Sequence, residues 1–352
     1  MTSFVGVCYG RSLQLDLIKL PPHFKISVYA KVTGARSLAL GTNGIVFVGT
    51  RSAGKVYALV PSENYIKAKR VIIIAKRLTQ PNGVAFYNGS LYVAEISRIL
   101  QFPNVEKNLN HPKYHVVYNQ LPSDQAHGWR YIGIGPDRKL YVAVGAPCNV
   151  CLKKAPYATI SRMDLDGKNF QVYATGIRNS VGLDWDPVTK QLWFTDNGRD
   201  WLGNDIPPDE LNHAQKLGMN FGFPYFWGDN QPDPKFGKDH SSKGMTKPAL
   251  KLGSHVAALG MRFYTGHMFP NHYHHQIFIA EHGSWNRLLK VGYRVILVKM
   301  KNHKPISQEV FASGWLQGQS YWGRPVDVLV LPDGSLLVSD DYAGVVYRIV
   351  HE

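Results

Sequence analysis

Six times along this chain, an apolar-alternating segment runs into a turn and out into a second alternating segment. LALGTNGIVFVGT begins at Leu38, VAFYNGSLYVAE at Val84 and IGIGPDRKLYVAVG at Ile132. VGLDWDPVTKQLWFTDNG follows at Val181, a looser GMRFY…HHQIFIAEHGS at Gly260 and VLVLPDGSLLVSDD at Val328. A period of two on both sides of an Asn-Gly, Asp-Gly or equivalent turn marks a β-hairpin. Recurrence at about 45–50 residues, stretched by insertions in the second half, predicts propeller blades. The expected fold class is all-β, a six-bladed β-propeller with long loops from the later blades.

No linker-like change in composition divides the chain, so residues 1–352 read as one domain with 1–33 as an N-terminal segment. Within that segment, LPPHFKISVYA from Leu20 predicts a strand after a proline turn. It either joins the first blade or closes the ring against the last. Blades one to three are compact, and long insertions are expected between Trp201 and Ala257 and around 266–275. Long ordered loops on a rigid scaffold commonly carry or cover a site. Helix is scarce, with DELNHAQKLG as one short candidate capped at Asp209.

Hydrophobic residues make up 44% of the chain, enough for a substantial core. No apolar run approaches the roughly 20 residues that span a bilayer, so no stable membrane insertion is expected. The longest run, VIIIA from Val71, reads as one buried strand. The start, MTSFVGVCYGRSLQ, shows neither the basic segment nor the long apolar segment of a secretory signal. It reads as a cytosolic chain or one whose leader is missing from this sequence.

Lys and Arg outnumber Asp and Glu by 40 to 25, a formal charge of +15. Such a balance admits nucleic acid as a partner class. The basic residues are scattered, however, in clusters as short as Lys67-Ala68-Lys69-Arg70, and no recognition motif accompanies them. A solvated basic surface with no nucleic-acid partner is the expectation, and a share of the charge is left to serve an anionic ligand. Cys148 and Cys151 form a close pair in GAPCNVCLKK. Cys8 alone cannot complete a zinc ribbon, and a thioredoxin-like pair would sit at a helix N-terminus rather than in a blade loop. A local disulfide is the first reading, reduced thiols the second, and metal or redox chemistry the third.

In a propeller, ligand sites gather where several blades present polar side chains at one end of the channel. Five such places stand beside strand starts. Gln80 and Asn82 precede Val84, His127 precedes Tyr131, and Arg178 with Asn179 precede Val181. His282, Trp285 and Arg287 follow Ile277–Ile279, and Arg324 with Asp327 precede Val328. Converging, they offer guanidiniums for carboxylates, amides for carbonyls and rings for stacking. A neutral His beside them is able to take a hydroxyl proton near neutral pH.

The phrases HGWRYIGIGPDRKLYVAVG, ATGIRNSVGLDWDPVTKQLWFTDNGRD, DELN, GMNFGFPY and RPVDVLVLPDGSLLVSDDYAGVVYRI carry a resemblance. They are similar to those of the soluble pyrroloquinoline-quinone (PQQ)-dependent sugar dehydrogenases, nearest the sorbosone and pyranose dehydrogenase-like branch. The likeness runs from about Leu20 to the C-terminus. Its most specific part pairs GIRN…GL with DNG and DELN…G-x-N-x-G-x-P.

The resemblance implies PQQ and Ca2+ as cofactors, a sugar or related alcohol or aldehyde as substrate, and hydride transfer to the quinone. It implies His127 as the base for the substrate hydroxyl, and Arg178 as a positive charge near the quinone oxygen, accompanied by Asn179. Gly198 and Arg199 fall where two backbone carbonyls hold calcium, and Arg324 matches a carboxylate-binding arginine. Gln80 or Asn82 lies near a glutamine contact, and His282 or a neighbour stands in place of a lysine. Three departures accompany the match. Ala126 replaces an acidic residue, Val326 a second arginine and Arg199 a proline. Trp285, Trp322 and His282 are expected to compensate in part.

Without a haem-attachment C-x-x-C-H, since Leu152 follows Cys151, electrons are expected to leave through an external acceptor, a cytochrome or a quinone. Relatives of this kind imply a periplasmic or secreted protein. Two other classes stay open on the residues. One is a calcium-dependent lactonase with Glu95, Asn179, Asp196 and Glu281 as ligands, and the other is a non-catalytic binding propeller.

Overall fold

A computed structural model describes residues 13–352; Cys8 lies outside the described residues. Six sheets, each built on four antiparallel strands, stand around one axis. Blade one comprises Leu38–Leu40, Val46–Val48, Lys55–Pro61 and Ala68–Lys76; blade two Gly83–Tyr87, Ser90–Ala94, Ile99–Phe102 and His115–Tyr118. Blade three comprises Ile132–Ile134, Leu140–Val144, Thr159–Met163 and Gln171–Thr175; blade four Leu183–Trp185, Leu192–Asp196, Pro208–Ala214 and Leu250–Ser254. Blade five comprises Ala258–Phe263, Ile277–Glu281, Arg294–Lys301 and Lys304–Ala312. The first strand of each blade lies innermost and packs against first strands of its neighbours.

Each sequence repeat is the inner hairpin of a blade. In blade two, Tyr87 pairs with Ser90 across Asn88-Gly89, both at positive φ (46° and 77°), which is the backbone a tight hairpin turn demands. The second strands are buried along their whole length: Leu140–Val144, Leu192–Asp196, Ile277–Glu281 and Leu336–Asp340 carry no exposed position. Adjacent sheets cover both faces there, so the core lies as wedges between blades.

The sixth blade combines Pro325–Val330, Leu336–Asp340 and Val345–His351 with the N-terminal strand Phe24–Lys31 on its outer edge. The strand after the proline turn therefore closes the ring, joining the two ends of the fold in one sheet. Phe24 anchors the closure, edge-on to Phe269 at 4.7 Å and to Phe311 at 5.1 Å.

DELNHAQKLG is not a helix. Pro208–Ala214 is the third strand of blade four, paired with Leu192–Asp196 on one side and Leu250–Ser254 on the other. Asp209 does not cap a helix; its carboxylate accepts the N–H of Gly198 at 2.8 Å and of Ala258 at 3.3 Å. The two outer strands of blade four thus lie inside the expected insertion. The remainder carries a small hairpin, Phe226–Trp227 with Gln231–Pro232, and Met219–Asn220, which adds a parallel strand to blade three. No helix of the described residues is long and apolar enough to cross a membrane.

Emptying the closure should loosen the whole ring. Phe24→Ala is expected to cost about 3–5 kcal/mol, as for other buried phenylalanines, and to lower the urea midpoint. An unchanged midpoint would mean that the terminal strand does not hold the ring shut.

Candidate active site

In each blade, the start of the first strand and the end of the second lie at the same end of the sheet, because the two run antiparallel. Residues flanking those points therefore crowd one mouth of the channel. There they line a cavity of about 350 Å³. Blade one supplies Arg36 and Arg51, blade three His127 and Trp129, and blade four Arg178, Asn179, Asn197, Gly198 and Asp200. Blade five supplies His282, Trp285 and Asn286, and blade six Arg324.

His127 is held by its backbone and by one ring nitrogen. Its φ of 49° lies in the left-handed region, and Gly145 leaves the room it needs: a Cβ there would meet the His127 Cβ at 2.6 Å. Nδ1 stands 2.7 Å from the Ala146 carbonyl oxygen. A carbonyl only accepts, so Nδ1 carries the proton and Nε2 keeps its lone pair. Burial and then the Arg178 charge hold the imidazole pKa down to about 4. His127 is accordingly neutral at physiological pH.

Arg178 is a buried guanidinium whose donors are all engaged. Nε donates to the Asn149 carbonyl at 2.8 Å, and Nη1 to the carbonyls of Asn197 at 3.2 Å and Gly198 at 2.8 Å. Nη2 donates to Asn149 Oδ1 at 3.1 Å and to Asp200 Oδ2 at 3.0 Å. With five N–H groups so occupied, Arg178 acts on a ligand as a fixed positive charge rather than as a free donor. Beneath it, the Asp196 carboxylate accepts the N–H of Arg178 at 2.9 Å and of Asn179 at 2.6 Å. Burial lifts Asp196 to about 7.

Three more guanidiniums share the cavity. Arg36 donates through Nε to Asn82 Oδ1 at 2.6 Å and through Nη1 to Asp341. Arg51 lies over the Trp129 ring at 4.8 Å, and burial with the Arg36 charge lowers its pKa. Arg324 donates to the His282 and Gly283 carbonyls at 3.0 and 2.7 Å and lies over the Tyr293 and Tyr321 rings. His282 Nε2 meets Asp341 Oδ1 at 2.8 Å. Burial keeps that imidazole near 4, while against its own burial Asp341 is held well below the usual carboxylate range by His282 first and the Arg36 guanidinium second.

The structure thus brings together His127, Arg178, Asn179, Gly198, His282, Trp285 and Arg324. It leaves five expected residues outside the cavity lining. Gln80 is half-buried, its Oε1 buried without a partner. Asn82 stands one layer back, bonded to Arg36, Ser37 and the Arg130 carbonyl. Arg287 turns to Asp205 and the Ser254 carbonyl. Trp322 packs in the blade-six core against Trp315 and Tyr347, and its Nε1 donates to Gly314. The Arg199 side chain leaves the mouth for Asp233, at 2.6 Å.

Arg36, Arg51, Asp341 and Asp200 escaped the sequence reading. Arg36 precedes the first strand of blade one as Arg178 and Arg324 precede theirs, so the same positional rule applied to that blade would have found it. The carboxylate set of the lactonase reading does not converge. Glu95 serves Arg98 and the Thr79 N–H, Glu281 serves Arg294, and Asp196 is engaged by backbone. Among the described residues no group of three or more His, Cys, Asp or Glu could hold a metal ion. Cys148 and Cys151 are joined in a disulfide.

The donor set suits a flat polyanion and a hard cation. The cavity falls within the about 300–1,000 Å³ range of small-ligand sites, and four guanidiniums face it. The Gly198 carbonyl accepts one Arg178 N–H bond from a capacity of two, and oxygen donors are what calcium takes.

A glucose/sorbosone dehydrogenase family model matches residues 94–348. An uncharacterized protein of Borreliella burgdorferi is 34% identical over 95% of this chain and 91% of its own length. Two solved structures superpose on nearly the whole chain. The calcium structure of a Trichoderma reesei carbohydrate-active enzyme of family AA12 has a TM-score of 0.85 at 17% identity, covering 98% of this chain and 100% of its own. The holo form of the pyranose dehydrogenase PQQ domain from Coprinopsis cinerea has a TM-score of 0.81 at 17% identity, covering 95% of this chain and 97% of its own. Those two likenesses speak for the propeller fold, and the family match with the full-length relative speaks for descent: the chain belongs to the glucose/sorbosone dehydrogenase family.

Proposed function

We propose that this protein is a PQQ- and calcium-dependent dehydrogenase that oxidises a sugar or a related alcohol or aldehyde. One observation carries the reading: a neutral His127 with a bare Nε2 shares a single cavity with four arginines. Arg36, Arg51 and Arg324 would pair with the carboxylates of the quinone. The Gly198 carbonyl, at the cavity wall, would hold the calcium ion, with the Arg199 carbonyl beside it as the second oxygen that the family resemblance implies. When bound, the quinone supplies a hydride acceptor and the calcium polarises it.

The protein's own part is acid–base and electrostatic. His127 Nε2 receives the substrate hydroxyl proton while Nδ1–H keeps its bond to Ala146, so the ring does not turn during the transfer. Arg178, itself buried, holds a positive charge beside the reacting centre, and burial lets such a charge act strongly there. The same charge disfavours a lasting imidazolium, so the proton passes on to solvent and the base is restored. Trp285 stands at the mouth, 66% exposed, where an incoming substrate passes. Electrons then leave through an external acceptor, a cytochrome or a quinone, and the disulfide favours a periplasmic or secreted setting.

Purified protein should gain dye-reducing activity with aldoses or ketoaldehydes only when PQQ and calcium are supplied together. His127→Ala should retain the bound-quinone absorbance and lose about 10²–10⁴-fold in kcat; unchanged turnover would remove His127 as the base.

The acid limb gives an independent check. His127 is the working base only when neutral, and its pKa lies near 4. For the free enzyme, kcat/KM should therefore stay level above about pH 6 and fall as pH approaches about 4. A fall starting near pH 7 would mean an imidazole held down neither by burial nor by Arg178.

A further inference from the structure

Arg178 does not hold its own pose. Of the five bonds its guanidinium makes, two end on Asn149: the backbone oxygen at 2.8 Å and Oδ1 at 3.1 Å. The same Oδ1 accepts the Asp200 N–H at 2.8 Å, and Asn149 Nδ2 donates to the Asp200 oxygen at 3.0 Å. One side chain thus ties a blade-three loop to the guanidinium and to the strand-end loop of blade four. Asn149 lies outside any strand, so no sheet ladder fixes it. What does fix it is covalent, for it sits inside the four-residue ring closed by Cys148–Cys151. Closing so short a ring removes backbone freedom that an open loop would keep.

We propose that Asn149, presented by the Cys148–Cys151 bridge, is the positioning residue that keeps the Arg178 charge beside His127. The site is thereby sensitive to thiol reductants. Both cysteines are half-buried and within reach of solvent. A dithiol such as dithiothreitol gives up two electrons and two protons, closing to its cyclic disulfide while the Cys148–Cys151 bond opens to two thiols. The freed loop then releases Asn149, and the guanidinium loses two of its five anchors. The consequence for turnover rests on the proposed roles of His127 and Arg178; the physical displacement does not.

The physical arm uses the full chain without cofactor, labelled in its histidines, and follows the His127 imidazole by NMR as pH is varied. Arg178 is the charge that bears on this ring, and Arg130 touches only its backbone oxygen, at 3.3 Å. In untreated protein the midpoint should lie near 4. In Asn149→Ala, in dithiothreitol-treated wild type and in the Cys148→Ser/Cys151→Ser double variant it should rise by about one unit. The double variant should ignore dithiothreitol.

In the loaded enzyme, Asn149→Ala should lower kcat about tenfold to a hundredfold while leaving the sugar KM within about twofold. Asn149→Asp, which keeps both acceptors and loses the donor to Asp200, should recover most of that loss. An unmoved His127 midpoint after complete reduction of the wild type overturns the proposal without relying on any substitution that disturbs folding. If no sugar is oxidised under any condition, the functional reading fails while the titration still decides the role of Asn149.

Discussion

A buried knot of side chains on the propeller axis holds the first strands in register, and the cavity above depends on it. Asp327 of blade six accepts the Leu38 N–H of blade one at 2.8 Å and the Tyr131 hydroxyl of blade three at 3.3 Å. Arg262 of blade five donates to that hydroxyl at 3.3 Å and lies 3.8 Å from Asp184 of blade four and 4.0 Å from Asp327. Asp184 returns to blade five through the Phe263 N–H at 2.9 Å. Five blades are tied at one level. Burial presses the carboxyl of Asp327 up to about 6, so the arginine and the backbone donors are needed to keep it charged.

Above this plug, the channel end is a cup rather than a tube, and its walls are set by backbone more than by side-chain packing. Asp196 and Asp209 direct their oxygens at N–H groups of Arg178, Asn179, Gly198 and Ala258. These carboxylates serve as staples for the two loops that meet at the mouth. The side chains facing inward are consequently cationic, and Asp341 and Asp200 each take up part of that charge. Four guanidiniums against the carboxylates of Asp200 and Asp209 leave the lining biased toward an anionic occupant.

The hairpins were readable because their signals are local. Asn88-Gly89 needs two positive φ angles wherever it occurs, and the alternation around it needs only the pleat. The DELN segment misled because Asp209 has the chemistry of a helix cap, while its partners, Gly198 and Ala258, lie 11 and 49 residues away. Trp322 and Arg287 stand near mouth residues in the chain yet turn to the core and to a neighbouring loop. Being close to a strand start is decided by the backbone, whereas facing the cavity is decided by which neighbour claims the side chain.

Blade number, hairpin turns, the family motifs and the candidate base follow from short-range pattern, since each is encoded within a stretch of a few residues. Ring closure by Phe24, the engagement of every Arg178 donor, the tautomer of His127 and the place of Asn149 beside the disulfide arise only on folding. Each of those depends on partners outside the local stretch, from Ala146 at 19 residues for His127 to strands at opposite ends of the chain for Phe24, and no local spacing specifies which donor meets which acceptor there.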